Sequence, residues 1–354
     1  MKIVFFVKFV IFFQKARILV NYGVFLSGFF SYFTSNIAVY GLNLRYTYRM
    51  KNTLAIFTAL LIYLSLASCS SSAPPLTQSK LLFKSGFEEG VTLGKPYHDG
   101  GGTWLQDILG SDHPDFSWPI RLWDTNGTFQ VLVDSSLDST AYITNTIVTT
   151  PGHDGQPTRA MRSTIHKAAE EWTQDPYILM DAKEQGDLYV RYWLKMPGDL
   201  RSVLGDGTHD DGWCTFFEWK SSGDYRIAAY IYIDPEHAKP YWYVHGDNVA
   251  NSDDAPPYHE YWVEENDTHP VPEDRWFMVE FFWHRSTGKD GRFWWAVDGQ
   301  VIADHHGANK IADPIDRIML FTTYAERYPL TQLVDDIEIW DGFPCGEGKS
   351  CYQK

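Results

Sequence analysis

Alternation of apolar with polar or aromatic side chains along short runs is the feature that most restricts the fold of this chain. Within residues 226–234, one face would carry Ile227, Ala229, Ile231 and Ile233, and the other Arg226, Tyr230 and Tyr232. In two nearby runs, Trp242 and Val244 oppose Tyr241, Tyr243 and His245, and Phe217 and Trp219 oppose Glu218 and Lys220. A period of two predicts β-strands with one dry face. The second face, rich in Tyr, His and charged residues, is unusual for solvent-facing sheet.

Similar runs recur between clusters of Gly, Asp, Asn and Pro, while helical periodicity is scarce. We predict strands at 81–87, 129–133, 141–149, 159–165, 188–196, 214–220, 226–234, 240–245, 276–285, 292–298, 317–324 and 334–340. One short helix is predicted at 167–172, and the Pro- and Asp-rich segment 246–275 is predicted to be a loop over a cleft. Many short strands without a βαβ rhythm indicate an all-β, two-sheet antiparallel β-sandwich.

The first 69 residues differ in composition from the rest. They contain seven Lys or Arg and no Asp or Glu, which gives a charge of +7. Because the formal net charge of the whole chain is −15, residues 70–354 carry a charge of −22. A basic start at Met50 precedes an apolar run from Thr53 to Leu66, which ends in Leu-Ala-Ser-Cys69. This arrangement resembles a bacterial lipobox, and it predicts a lipoprotein signal peptide at 50–69 with lipidation on Cys69. The alternative is an ordinary signal peptide with a chance cysteine.

A signal that starts at Met50 predicts that residues 1–49 are an N-terminal extension, which results from a start codon assigned too far upstream. The segment Ile18–Leu44 is nevertheless uncharged and long enough to span a bilayer. We then expect a linker at 70–80, one β-domain at 81–345 and a C-terminal tail at 346–354. The expected location is exported and lipid-anchored to the bacterial outer membrane, facing the periplasm or the cell surface, as a monomer. Cys345 and Cys351 are placed to close a small loop, and Cys214 is expected to be a buried thiol.

Four segments resemble strands of concanavalin A-like jelly rolls: 86–88, 275–281, 291–301 with its Trp-Ala-Val-Asp-Gly hairpin, and 334–340. Within that superfamily, Arg159–Ser163, Phe217–Lys220 and Leu320–Tyr324 are similar to three active-site strands of alginate- and heparin-lyase-like domains. The resemblance implies a jelly roll with a concave active face, and lyase chemistry. The chain departs from it at 218–220, where alginate lyases have Gln and His. The paired-carboxylate strand of laminarinase-like hydrolases is absent from the sequence.

An acidic sugar is the substrate class we favour. β-Elimination from a uronate needs a base for the proton beside the carboxylate, a cation or donor to hold that carboxylate, and an acid for the leaving oxygen. The predicted polar face offers His245 or Tyr243 as the base and Tyr230 or Tyr324 as the acid, with Lys220 and Arg226 on the carboxylate. The expected substrate-binding residues are Arg162, His166, Glu218, Tyr232 and Tyr241.

These residues predict a carbon–oxygen lyase for algal, ulvan-type poly- or oligosaccharide, working either as a polysaccharide lyase or as an oligosaccharide dehydratase. Two alternatives stay open, namely a non-catalytic glycan-binding lipoprotein and a glycoside hydrolase that pairs Glu218 with Glu280. The strong negative charge argues against nucleic acid as a partner. No cofactor is required for the chemistry, but Glu88 and Asp336 are expected to hold a structural calcium ion where the first and last strands meet.

Overall fold

The computed structural model describes residues 79–98, 104–120, 128–132, 143–166, 177–181, 186–208, 211–221, 225–237, 239–248, 260–286, 288–307, 315–320 and 329–353. The chain divides into two units, Met1–Leu76 and Thr77–Lys354, and all described residues belong to the second. The predicted signal peptide, Cys69 and the predicted helix at 167–172 lie outside the described residues.

Strands make up most of the described chain. In chain order they are β1 (Leu81–Ser85), β2 (Val91–Leu93), β3 (Tyr97–His98), β4 (Trp104–Gln106), β5 (Ile108–Gly110), β6 (Thr128–Leu132), β7 (Ile143–Pro151), β8 (Pro157–Ile165), β9 (Tyr177–Asp181), β10 (Asp187–Lys195), β11 (Trp213–Ser221), β12 (Tyr225–Tyr232), β13 (Tyr241–Asn248), β14 (Glu260–Asn266), β15 (Trp276–His284), β16 (Arg292–Val297), β17 (Gln300–His306), β18 (Ile315–Leu320) and β19 (Leu330–Trp340). One helix, α1 (Leu200–Leu204), starts where the Asp199 side chain accepts a hydrogen bond from the Ser202 amide. No helix in the described part of the chain is both long and apolar enough to cross a membrane.

Two antiparallel sheets form the fold. One has eight strands in the order β17-β16-β15-β10-β19-β8-β7, with β1 also paired to β19. The other has nine strands in the order β14-β13-β12-β11-β18-β9-β6-β4-β3, and β2 and β5 form a separate pair. The predicted antiparallel two-sheet β-sandwich is therefore confirmed.

The core lies between the two sheets, and aromatic side chains from each sheet meet there. Phe217 of β11 stacks on Phe281 of β15, with 3.8 Å between ring centroids. Trp219 stacks on Trp283 at 5.1 Å. Because these side chains alternate with outward-facing ones, burial fixes which residues each strand turns away from the core.

A smaller apolar cluster covers the outer face of the eight-stranded sheet. It consists of Tyr189, Phe282, Trp294, Ala296 and Cys351, with Trp340 and Phe343 packed against it. The Cys345–Cys351 disulfide is confirmed, with 5.4 Å between the Cα atoms, and Cys214 is a buried thiol, as expected. The segment expected to be a tail thus packs on the sheet, because Cys351 contributes to this outer cluster.

Two predictions of secondary structure are corrected. The segment 246–275 is not one loop, since β13 continues to Asn248 and Glu260–Asn266 forms β14 at the edge of the nine-stranded sheet. The strands β2 to β5, β9 and β17 were not predicted either. Most of them have two to five residues, too few for a period of two to stand out from neighbouring turns.

Candidate functional site

The outward face of β11, β12 and β13 gathers most of the residues expected to act. We call this surface the tyrosine face and define it by Glu218, Arg226, Tyr230, Tyr232, Tyr241, Tyr243 and His245. Pairing places Tyr230 opposite Tyr243 and Tyr232 opposite Tyr241. The alternate residues of the same strands, including Ile227, Ile231, Trp242 and Val244, belong to the core. The predicted division of these strands into an apolar and a polar face is confirmed.

Tyr230 and His245 form a polar contact on the tyrosine face that joins two expected catalytic residues. The Tyr230 hydroxyl lies 3.4 Å from His245 Nε2, and the rings meet edge to face at 5.2 Å. The contact is diagonal, because His245 pairs across the strands with Ala228 and not with Tyr230. Both side chains are buried, at 7% and 8% exposure. An acid and a base are therefore held side by side with little access to bulk water.

Tyr243 lies beside this pair. Its ring is 5.8 Å from the Tyr230 ring and 5.7 Å from the His245 ring. Tyr232 approaches Tyr243 at 4.8 Å and Tyr241 at 6.0 Å. Tyr241, Tyr243 and His245 are alternate residues of one strand, so their Cα atoms span about 14 Å. This row of hydroxyl-bearing rings is long enough to contact more than one unit of an extended ligand.

The buried carboxylate of Glu218 on β11 is separated from His245 on β13 by the strand β12, since Glu218 pairs with Ala228 and Ala228 with His245. Its Oε1 is 3.8 Å from Arg226 Nη1, and Glu218 is fully buried. A buried carboxylate requires a nearby cation or donors. Arg226 therefore offsets part of the cost of burying the Glu218 carboxylate.

A cluster that the sequence analysis did not identify lies at the other end of the row. His237 Nδ1 is 2.9 Å from each carboxylate oxygen of Asp234, and the Tyr241 hydroxyl donates to Asp234 Oδ2 at 2.9 Å. Arg201 donates to the backbone carbonyls of Asp234 and His237, which holds this turn in place. Asp234 and His237 follow directly after β12, and an aspartate and histidine three residues apart in a turn are too common a pattern to have signalled a site.

The charges of this cluster shift its pKa values. The hydrogen bond to Asp234 raises the pKa of His237, and the nearby acids Asp267 and Glu265 add to the effect. Burial acts to raise the pKa of Asp234, but hydrogen bonds from His237 and Tyr241 outweigh it and lower that pKa. Burial, followed by the hydrogen bond to Asp234, raises the pKa of Tyr241. Within the described residues His237 Nε2 has no hydrogen-bond partner, so a protonated His237 offers a donor to a ligand.

Two expected substrate-binding residues lie elsewhere. Arg162 belongs to β8 of the eight-stranded sheet, where Met161 and Ile165 face the core and Arg162 is exposed on the outer side. His166 is exposed beyond the end of the same strand and contacts the Thr144 hydroxyl. The prediction that these residues flank the tyrosine face is wrong, because the core separates β8 from that face.

The prediction that Glu218 and Glu280 form the carboxylate pair of a glycoside hydrolase is also wrong. Glu280 faces outward from the eight-stranded sheet, since its neighbours Val279 and Phe281 are in the core. It accepts hydrogen bonds from the Tyr189 hydroxyl, the Ser350 hydroxyl and the Cys351 amide. Glu280 anchors the C-terminal segment, and the whole core lies between it and Glu218.

For two other expected catalytic residues, the position of the side chain is not described. Tyr324 lies outside the described residues. The backbone of Lys220 is described, and it pairs with Arg226 on one side and Arg317 on the other. Lys220 therefore occupies a position in the same cross-strand row as Arg226, at one end of the tyrosine face.

The expected calcium ligands lie at the junction of the first and last strands, as predicted. Glu88 Oε1 and Asp335 Oδ2 both accept from the Thr158 hydroxyl, at 2.7 and 2.9 Å. Asp336 Oδ2 is 3.3 Å from His153 Nε2. Burial, and then the charge of Asp336, raises the pKa of Asp335 to about 8. No group of three or more His, Cys, Asp or Glu among the described residues is arranged around a metal site, and calcium binding stays a prediction.

No protein-family model and no curated protein matches this chain. Similar solved structures include an endo-β-1,4-glucuronan lyase from the fungus Trichoderma reesei, with TM-score 0.43, 10% identity, and coverage of 56% of this chain and 86% of that one. An alginate lyase from Aplysia kurodai has TM-score 0.37 and 11% identity over 55% and 86% of the two chains. Domain 4 of an extracellular arabinanase from Geobacillus stearothermophilus, in complex with arabinotriose, has TM-score 0.36 and 14% identity over 75% and 94%. Two of these three neighbours are polysaccharide lyases.

Proposed function

We propose that the tyrosine face binds a uronate-containing saccharide and that Tyr230 and His245 catalyse β-elimination on it. The observation that carries the proposal is the 3.4 Å contact between the Tyr230 hydroxyl and His245 Nε2 inside a buried row of tyrosines. An acid and a base within hydrogen-bond reach of each other are also within reach of two neighbouring atoms of one sugar ring.

The proposed reaction needs no cofactor. His245 Nε2 takes the proton from C5 of the uronate, the C4–O bond breaks, and its electron pair leaves on the oxygen. Tyr230 gives a proton to that oxygen, and a C4=C5 double bond forms in the remaining sugar. Tyr243 is the alternative base, because its ring adjoins both members of the pair. If the leaving oxygen belongs to a sugar the enzyme is a polysaccharide lyase, and if it is a hydroxyl the enzyme is a dehydratase.

Charge on the substrate carboxylate grows during proton removal, and donors near it stabilise that charge. Arg226 supplies one such group at one end of the row, and protonated His237 supplies another at the opposite end. Acidic groups offset both positive charges, with Glu218 beside Arg226, and Asp234, Asp267 and Glu265 around His237. This balance favours a ligand with isolated carboxylates spaced along a sugar chain over a densely charged polyanion.

Unsaturated uronates absorb in the ultraviolet because the new double bond is conjugated to the carboxylate. The test is to incubate the full chain with uronate-containing polysaccharides, including ulvan, and with their oligosaccharides, while following that absorbance. New absorbance supports the proposal, and reducing ends without absorbance point to a hydrolase. Binding with neither product supports the second candidate, a non-catalytic glycan-binding protein, which is favoured by the number of aromatic rings in the row.

We also propose that Cys69 carries the lipid anchor and that the domain faces the periplasm or the outside of the cell as a monomer. The disulfide at Cys345–Cys351 supports an oxidising compartment. Expression in a bacterial host fed labelled palmitate tests the anchor. Label and membrane retention that disappear in Cys69→Ser support it, while unchanged labelling of that variant contradicts it.

A further inference from the structure

A cavity of about 460 Å³ opens on the outer face of the eight-stranded sheet. Its floor comes from β1, β10, β15 and β19, and one wall is the C-terminal segment closed by the Cys345–Cys351 disulfide. Its lining includes Lys84, Arg191, Trp193, Asp336, Glu338 and Tyr352. These floor strands turn their other side to the core, so the cavity is on the opposite side of the sandwich from the tyrosine face. Its volume falls within the range of small-molecule sites.

The charges lining the cavity cancel. Glu338 is nearly buried and is contacted by Lys84 Nζ at 3.1 Å and by Arg191 Nη2 at 2.7 Å. Asp336 is 3.3 Å from His153 Nε2. Two cations thus stand with two carboxylates, which makes the lining a poor site for a polyanion. It offers fixed donors and acceptors side by side, and vicinal hydroxyl groups match that arrangement.

Aromatic surface accompanies these polar groups. The His153 ring lies parallel to the Trp193 indole, with 3.9 Å between centroids and 2° between planes. Tyr352 approaches the same indole at 6.0 Å, tilted by 56°. Because His153 is also bonded to Asp336, the indole is held in position before any ligand arrives. A fixed aromatic ring next to paired acids and bases is the chemistry that recognises a sugar ring.

The wall formed by the C-terminal segment is held independently of any ligand. Ser350 and Cys351 both donate to the buried Glu280 carboxylate, and the disulfide ties Cys351 to Cys345. The cavity is therefore preformed, which reduces the ordering cost of binding.

We propose that this outer cavity is a second saccharide-binding site, specific for one or two uncharged sugar units. It is separate from the proposed catalytic site and does not depend on it. With both sites in use, one protein would hold a neutral stretch of a glycan on one side while the tyrosine face acts on a uronate unit.

The test is isothermal titration calorimetry of the full chain with neutral trisaccharides, namely cellotriose, xylotriose, mannotriose and laminaritriose. At least one should bind, and Tyr352→Ala should weaken its binding at least tenfold. Tyr97→Ala, which removes an exposed tyrosine from β3, and Tyr243→Ala on the tyrosine face should change it less than twofold. Lys84→Met is a second cavity variant that leaves the aromatic wall intact, and it should also weaken binding.

Absence of binding by all four trisaccharides overturns the proposal. Binding that is lost in Tyr243→Ala and kept in Tyr352→Ala also overturns it, because the sugar would then occupy the tyrosine face. Thermal unfolding of each variant separates a folding defect from a binding defect. Uronate elimination measured on the same samples reports on the catalytic proposal, and either proposal can fail without the other.

Discussion

His245 contacts Tyr230 diagonally, across the gap left by Ala228. The directly opposed partner of His245 on β12 is Ala228, whose methyl group leaves the imidazole room to lean toward the Tyr230 hydroxyl two residues along the strand. Diagonal neighbours on one sheet face are within reach of aromatic side chains. A small residue at one position therefore makes the proposed acid–base pair possible.

Tyr230→Phe should remove the proposed acid while keeping the ring contacts with Tyr243 and Trp213. We expect kcat for uronate elimination to fall about 10²- to 10⁴-fold, with KM changed little, because proton transfer is lost and the aromatic surface is kept. The measurement is the ultraviolet absorbance of the unsaturated product. Tyr232→Phe, on the same strand and face, is the matched control and should keep its kcat. Equal rates for wild type and Tyr230→Phe would exclude Tyr230 as the acid.

Binding of a uronate oligosaccharide should weaken as pH rises through the pKa of His237, because the proton on Nε2 is then lost. The hydrogen bond that His237 donates to Asp234, with the charges of Asp267 and Glu265, raises that pKa, so Asp234→Asn should move the transition to lower pH. His237→Asn should abolish the transition. KM measured across the pH range at constant ionic strength tests this, with Glu236→Gln in the same turn as the control. A pH profile identical in His237→Asn and wild type would contradict the role of His237.

The free energy of unfolding should fall as pH rises from about 4 to 8 because of Asp335. Its pKa is about 8 in the native state, owing first to burial and then to the charge of Asp336, against 3.8 for an unperturbed group. The native state therefore keeps a proton that the unfolded chain has lost, and stability decreases by at most about 1.4 kcal/mol per pH unit within that window.

Asp335→Asn should flatten this dependence, since an amide cannot ionise and its NH₂ can donate to the Thr158 hydroxyl, which in turn donates to Glu88. Urea unfolding at pH 5 and pH 8 gives the comparison, and Asp304→Asn serves as a control on the same sheet. The same slope in wild type and Asp335→Asn would show that another group titrates. Repeating the pH 8 measurement with calcium chloride tests the calcium site predicted at Glu88 and Asp336, which should stabilise wild type and not Asp336→Asn.

Loss of the disulfide should loosen the C-terminal segment without unfolding the sandwich. The Cys345→Ser, Cys351→Ser double variant should lose about 2 kcal/mol of unfolding free energy, as expected for a short closed loop. A reducing agent should lower the stability of wild type and of Cys214→Ala, which keeps the disulfide, but leave the double variant unchanged. If reductant destabilised the double variant equally, the effect would not come from this bond.

Local pattern was sufficient for much of the fold. The period-two runs in β11, β12 and β13 assigned Trp219, Ile227 and Trp242 to the core and Tyr230, Tyr243 and His245 to the opposite face, because alternation along an extended backbone depends only on neighbouring residues. The very short strands and the edge strand β14 were missed, since their runs carry too few periods to differ from a polar loop.

The sequence did not determine which strands share a sheet or which strand faces point to the same side of the molecule. Arg162 and Glu280 fit the expected site by residue type, but their strands belong to the eight-stranded sheet, on the far side of the core from Glu218. The turn that brings Asp234 and His237 to Tyr241, and the packing of Cys351 on Glu280, likewise join parts of the chain by contacts that no local period encodes. Sheet assignment depends on hydrogen bonds and burial between distant segments, so the tertiary structure decided the composition of the site, whereas the sequence by itself determined the face that each strand turns to the core.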